Sequence, residues 1–239
     1  MLELSATDEL AVAVTEAIHN GDVAELERLV AAHAELAGAR IVDDKGVRRS
    51  LLHVVADWPG HFPNGARIVE ALVAAGADAN VRVQFTSGRG PAETPLHWAA
   101  SSDDVAVLDA LLDAGADIEA TGAVFTGGSP MSDAVVFGQW RAAHRLLERG
   151  AQTNLAQAAA RGLLDRVQAI ASSGDVTAAE ITTAFWNACR GGQLEVAEWL
   201  RERGADFNWI GYDEKTPLRA AREQDREQVV EWLESIGAR

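Results

Sequence analysis

The chain has 239 residues, 48% of them hydrophobic and 24% charged, enough apolar content for a folded protein. A net charge of −15 excludes double-stranded nucleic acid and anionic membrane as ready partners, and the longest basic run is the pair Arg48-Arg49. The single cysteine, Cys189, excludes an internal disulfide framework and fits a reducing compartment.

The first residues carry no basic-then-apolar leader, and no apolar run reaches membrane-spanning length. A cytoplasmic location is therefore expected. One phrase then returns, blurred, along most of the chain. Glu93-Thr94-Pro95-Leu96-His97-Trp98-Ala99-Ala100 is echoed at Lys215-Thr216-Pro217-Leu218-Arg219-Ala220-Ala221. Each copy leads to Leu-Leu or Trp-Leu and then to Gly-Ala, which begins at Gly76, Gly115, Gly150, Gly204 and Gly237. Self-similarity at this spacing means a stack of small helical units. The residue types suit one. Thr caps a first helix, Pro fits its first turn, and Leu with two alanines buries one face. A second helix carries the Leu-Leu pair, and Gly ends it in the left-handed conformation.

The Thr-Pro-Leu-His, Ala-Ala and Gly-Ala-Asp elements resemble the ankyrin repeat, whose period is about thirty-three residues. The resemblance implies an all-α ankyrin-repeat solenoid of about seven helix-turn-helix units, with short or irregular β-hairpins, no true sheet, and one domain over 1–239. In chain order the units fall at about 6–36, 50–80, 94–120, 129–154, 155–174, 183–208 and 216–239. The second carries Leu51-Leu52-His53 in the signature place, the fourth Pro130-Met131-Ser132-Asp133, and the fifth is degenerate. The second also inserts Pro59-Gly60-His61-Phe62-Pro63 between its helices, and a finger of small residues occupies 81–93. Whether the insert and the finger close over the groove is left open. Strings such as Asp57-Trp58-Pro59-Gly60-His61-Phe62-Pro63-Asn64-Gly65 are similar to a bacterial ankyrin-repeat subgroup, which brings no known activity with it.

In this repeat, the positions two, five and six after the signature leucine face the concave side, as the i, i+3, i+4 rule requires. They are Val54, Asp57 and Trp58; Trp98, Ser101 and Ser102; Asp133, Val136 and Phe137; Gln157, Ala160 and Arg161; and Asn187, Arg190 and Gly191. The expected binding set is Trp58, Asp57, Trp98, Asp133, Phe137, Gln157, Arg161, Asn187 and Arg190. Aromatic surface rimmed by polar groups marks recognition. The bland readings are packing for Trp98, a hairpin bridge for His53 and His97, and core for Cys189. Trp140, Trp199 and Trp232 are read as packing of the second helices. Trp58, His61 and Phe62 together would form a lip over the groove, or His61 is loop decoration.

The chain contains no zinc-binding, nucleophile-elbow or phosphate-loop motif, so no metal, cofactor or catalytic residue is assigned. If the protein is an enzyme, Asp133 and Asp57 are the candidate acid and base, on the condition that their pKa values are split. Two functions of different class follow. The resemblance implies a scaffold that binds a protein partner through its concave groove, as a monomer. The alternative is a small-molecule binding or processing site between Trp58 and Arg190. A purely structural role is the third.

Overall fold

The structure, a computed structural model, describes residues 2–239. They form two compact units, residues 1–151 and 152–239. Each is built of antiparallel helix pairs. In the first unit they are α1 (Glu9–Asn20) with α2 (Val23–Ala32), α3 (Leu51–Ala56) with α4 (Gly65–Ala74), α5 (Pro95–Ser101) with α6 (Val105–Asp113), and α7 (Pro130–Phe137) with α8 (Trp140–Glu148). The second holds α9 (Leu155–Ala160) with α10 (Leu164–Ala171), α11 (Ala178–Gly191) with α12 (Leu194–Glu202), and α13 (Pro217–Glu223) with α14 (Glu227–Ser235). The described residues thus hold seven helix pairs, the number expected.

Local chemistry sets the helix ends. Ser50 and Thr216 accept the N–H groups of His53 and Arg219, and Asp104 accepts that of Val107. Proline opens α5, α7 and α13, where a missing N–H costs nothing. Beyond α4, Gly76 takes φ +99°, and the next N–H, of Ala77, returns to Leu72 O at 2.9 Å. A side chain is strained at that φ, which is why Gly-Ala recurs after the second helices. Leu51, Leu52, Ile68, Leu72, Leu96, Leu108, Leu111 and Met131 fill the core of the first unit. Phe185, Ala188, Cys189, Leu200, Leu218 and Leu233 do so in the second.

Two expectations need correcting. A sheet does exist: β1 (Glu3–Ser5), β2 (Arg40–Val42), β3 (Val47–Ser50) and β4 (Gln84–Phe85) form one four-stranded sheet in that order. β1 runs parallel to β2 (Leu4 opposite Ile41), and the other pairs are antiparallel (Ile41 opposite Arg49, Val47 opposite Phe85). The central hairpin, β2–β3, presents two open edges. The segment before α1 takes one and the finger takes the other, giving edge backbone groups partners other than water. Buried Arg40 fastens this sheet from below by donating to Arg82 O. The finger thus extends the sheet rather than projecting as a bare loop. Secondly, α11 begins at Ala178, five residues before the expected Thr183, because Thr177 and Glu180 form a capping box. In the degenerate fifth pair Val167 is the buried residue of α10, and Leu164 is half-buried.

Two buried histidines tie the hairpins of the first unit to one another. Thr94 N–H donates to His97 Nδ1 at 3.1 Å, so the ring proton sits on Nε2 and donates to Gly128 O at 3.2 Å. His53 repeats the arrangement one pair earlier, with Ser50 Oγ 2.8 Å from Nδ1 and Glu93 O 3.2 Å from Nε2. Both side chains are fully buried. The hairpin bridge expected of the signature histidine is what both rings make. His97→Ala should therefore cost about 1–3 kcal/mol, the scale for orphaning a buried polar group, with helicity by circular dichroism unchanged. Urea unfolding of the variant against wild type measures it; an unchanged midpoint would contradict the bridging role.

Candidate functional site

In the first unit the concave positions of α5 and α7 converge on a pair of carboxyls. Asp133, on the first turn of α7, is 1% exposed. It hydrogen-bonds Glu93, the half-buried residue just before the cap of α5, and the N–H of Val124 faces both groups. Trp98 Nε1–H donates to Glu93 Oε2 at 3.2 Å. The Trp98 ring is held edge-on against His53, with centroids 4.9 Å apart. With both acids ionised, Oδ2 of Asp133 would be a buried acceptor with no donor. A shared proton removes that orphan. Burial, then the charge of Glu93, pushes the Asp133 carboxyl up to about 8, and burial also raises Glu93. Asp133 therefore keeps the proton at neutral pH.

Next to this pair lies exposed aromatic surface. Phe125, one residue beyond Val124, is 71% exposed and packs against Phe137, 43% exposed, at 5.8 Å between centroids. Val124 and Val136 extend the patch. Trp58 is 79% exposed and stands on the insert. Asp57 beside it is an ion-pair partner, not a free acid: Arg49 Nη1 reaches Oδ2 at 2.8 Å, and Oδ1 accepts Trp58 N–H.

The lip expected of Trp58, His61 and Phe62 does not form. Phe62 stacks on His19 at 4.3 Å, and His61 N–H donates to Asp104 Oδ2 at 2.7 Å, while its ring Nε2 lies 3.1 Å from Ser102 O. Asn64 Nδ2 donates to Gly21 O. The insert runs along the row of inter-helix turns, and Trp58 is its exposed large hydrophobic side chain. A shallow cavity of about 290 Å³ lies there, lined by His61, Phe62, Arg67, Asp104 and Val107 among others.

The second unit holds the remaining predicted residues. Gln157 is buried and serves as a cap: its Oε1 accepts Asn154 N–H at 2.9 Å, as His97 does for Thr94. Gln157 stands third in α9 after the cap Asn154, as His97 stands third in α5 after Thr94, so counting the stripe from Leu155 runs one residue early. Asn187 is buried too, its amide donating to Thr183 O within α11. Arg190 lies 5.9 Å from the centroid of the Trp186 ring. Burial lowers the pKa of Arg161 and of Arg190, with Arg226 a like charge near both. Cys189 is sealed in the core and its thiol is pushed up by burial. Trp199 and Trp232 are half-buried on the second helices, Trp199 beneath Arg203 and Trp232 against Phe185.

Residues 52–157 match the family model for ankyrin repeats, a model of three copies. The chain is an ankyrin-repeat protein. An ankyrin repeat and KH domain-containing protein of Caenorhabditis briggsae is 32% identical over 190 residues, 75% of this chain. The ankyrin repeat and KH domain-containing protein mask-1 of Caenorhabditis elegans is 30% identical over 189. The chain spans 7% of the length of either relative. Among solved structures, the ankyrin repeat domain of human ASB11 superposes with a TM-score of 0.52 and 22% identity, covering 92% of this chain and 96% of that one. That likeness concerns the fold. No helix among the described residues is long and apolar enough to cross a membrane.

Sequence reasoning about this ankyrin-repeat protein missed Glu93 and Phe125. Both sit outside the helices, in the connections that lead into α5 and α7. The legible signal was an apolar pair, Val124-Phe125, on a hairpin ending in Gly127-Gly128, where polar residues are usual.

The buried acids and histidines act oppositely on stability. The folded-state pKa of Asp133 is raised, so its contribution is present at low pH and is lost as pH rises towards about 8. Burial lowers His53 to about 3 and His97 to about 4, so their contributions are present above about 6.5 and fall away as pH drops. Between pH 6.5 and 8 only the acid pair is still titrating of these. The melting temperature should fall across that window in wild type and stay flat in Asp133→Asn, whose amide can still donate to Glu93. Scanning calorimetry in steps of pH checks it, and parallel curves would deny Asp133 the raised pKa.

Proposed function

We propose that this chain is a binding scaffold that docks a protein partner on the concave side of residues 1–151. Ankyrin repeats in general serve as protein-interaction scaffolds. The observation that carries the reading here is the exposed pair Phe125–Phe137 with Val124 and Val136 around it. Solvent-facing aromatic and branched side chains gathered on one hairpin and one helix end are costly for solubility, and recognition is the usual return. Trp58 is a second anchor, and Trp98 with Glu93 and Asp133 forms the polar part of the surface. In residues 152–239, Arg161 and Arg190 offer cationic contacts, while Gln157 and Asn187 sit behind them as buried supports.

The small-molecule reading has weaker support. A site that buries a small ligand needs concavity. The cavity beside His61 lies on the turn row, and a second, open depression lies around Gly162–Arg166. Neither is lined by Trp58, Trp98 or Asp133.

The test pairs binding with stability. Phe125→Ser and Phe137→Ser remove exposed rings, so each variant should melt within a few degrees of wild type. Partners captured by cross-linking from the native host should be lost or weakened by about thirtyfold, equivalent to ~2 kcal/mol at an anchor. Trp58→Ala should act likewise, whereas Leu96→Ala should unfold the protein before it alters recognition. Retention of the same partner at full affinity by the double phenylalanine variant would sink the reading.

A further inference from the structure

We infer that Glu93 and Asp133 form the acceptor for a cationic side chain, lysine or arginine, on the segment that docks here; the inference rests on the docking surface proposed above. Two carboxyls share one spot on the concave side, and the groups that bond them are each other, the indole N–H of Trp98 and the backbone N–H of Val124. None of these is a cation. Elsewhere in the first unit half-buried acids find guanidiniums, as Asp57 finds Arg49 and Asp109 finds Arg145 and Arg149. Here, among the described residues, no cation bonds the pair. Asp133 is 1% exposed, and its Oδ2 has no donor unless that proton supplies one.

Such a pair is built to exchange its proton for something better. A protonated amine or guanidinium brings a full charge and several N–H donors, so it satisfies both carboxylates where a proton satisfies one contact. Glu93 is half-buried and forms the solvent side of the pair, which leaves it the point of entry. The exposed rings of Phe125 and Phe137 lie beside it through Val124 and suit the aliphatic stem that a long basic side chain lays on apolar surface. The exchange balances: the cation enters, one proton leaves to solvent, and the site ends with two carboxylates facing one cation. The charged groups that face the pair are Glu93 and Asp133 themselves, with no basic residue among the contributors to either. The chain's net charge of −15 favours approach of a basic segment in the same sense.

The probe is N-acetyl-arginine amide, with N-acetyl-norleucine amide as its uncharged counterpart, titrated at constant ionic strength into the full chain. The readout is the nuclear magnetic resonance signal of the Trp98 indole N–H, assigned by its loss in Trp98→Phe. The arginine amide should shift that signal saturably and bind about tenfold or more tightly at pH 8.5 than at pH 6, because a proton must be displaced at the lower pH. The norleucine amide should leave it in place. Glu93→Gln should abolish the shift, and Asp133→Asn should weaken it and erase its pH dependence, with thermal melts confirming that both variants are folded. An equal response to the norleucine amide, a full response in Glu93→Gln, or no saturable response in wild type would each overturn the inference. None of these outcomes touches the aromatic docking surface, which stands or falls on the Phe125 and Phe137 variants.

Discussion

The candidate site hangs on a buried imidazole. His53 Nε2 lies within hydrogen-bonding distance of the backbone carbonyl of Glu93, and the same ring takes the edge of Trp98. Val83 N–H holds the same carbonyl at 2.8 Å. One side chain of the second helix pair therefore fixes both the acid that opens the carboxyl pair and the indole that donates to it. Its desolvated ring stays neutral down to about pH 3, so the tie does not titrate under ordinary conditions. His97 does for the following hairpin what His53 does for this one, reaching Gly128 O. That places the segment whose Val124 N–H faces the acids. The candidate-site residues are thus located by the repeat's own scaffolding and not by a dedicated loop.

Much of the fold was legible because its determinants are local. Caps such as Ser50, Asp104 and Thr216, prolines at the first turn and glycines after the second helix each act within four residues. A pattern at fixed spacing reports them directly. The four-stranded sheet was not legible, because its register depends on which edge a distant segment finds, and β1 and β4 are two or three residues long. The site was half legible. Asp133, Trp98 and Phe137 fall on the concave stripe by helical periodicity. Glu93 and Phe125 come from connections, where no period constrains which way a side chain points. Gln157 shows the converse failure: Leu155 directly follows the cap Asn154, so counting from it as the signature leucine set the stripe one residue early, on a capping position.

The electrostatics divide along the same line. Asp57 and Asp109 are solvated acids that meet guanidiniums at the rim, and such pairs are individually worth at most about 1 kcal/mol. Asp133 belongs to a different regime. Removed from water, it lacks the solvation that makes a carboxylate cheap, so a neutral form or an incoming counter-charge is the only stable choice. A site that destabilises its own ionised state is relieved by a proton or, on the inference above, by a bound cation.

The insert at 57–64 has a kinetic meaning. His61 and Asn64 fasten it to the turns at Asp104 and Gly21, and Phe62 is stacked on His19. The backbone on which Trp58 rides is therefore already ordered in the unbound chain. An incoming surface has only the indole's own torsions to immobilise, so little conformational entropy is lost at contact and little is regained on release. In the docking proposed above, Trp58 is an anchor whose backbone is ordered before contact.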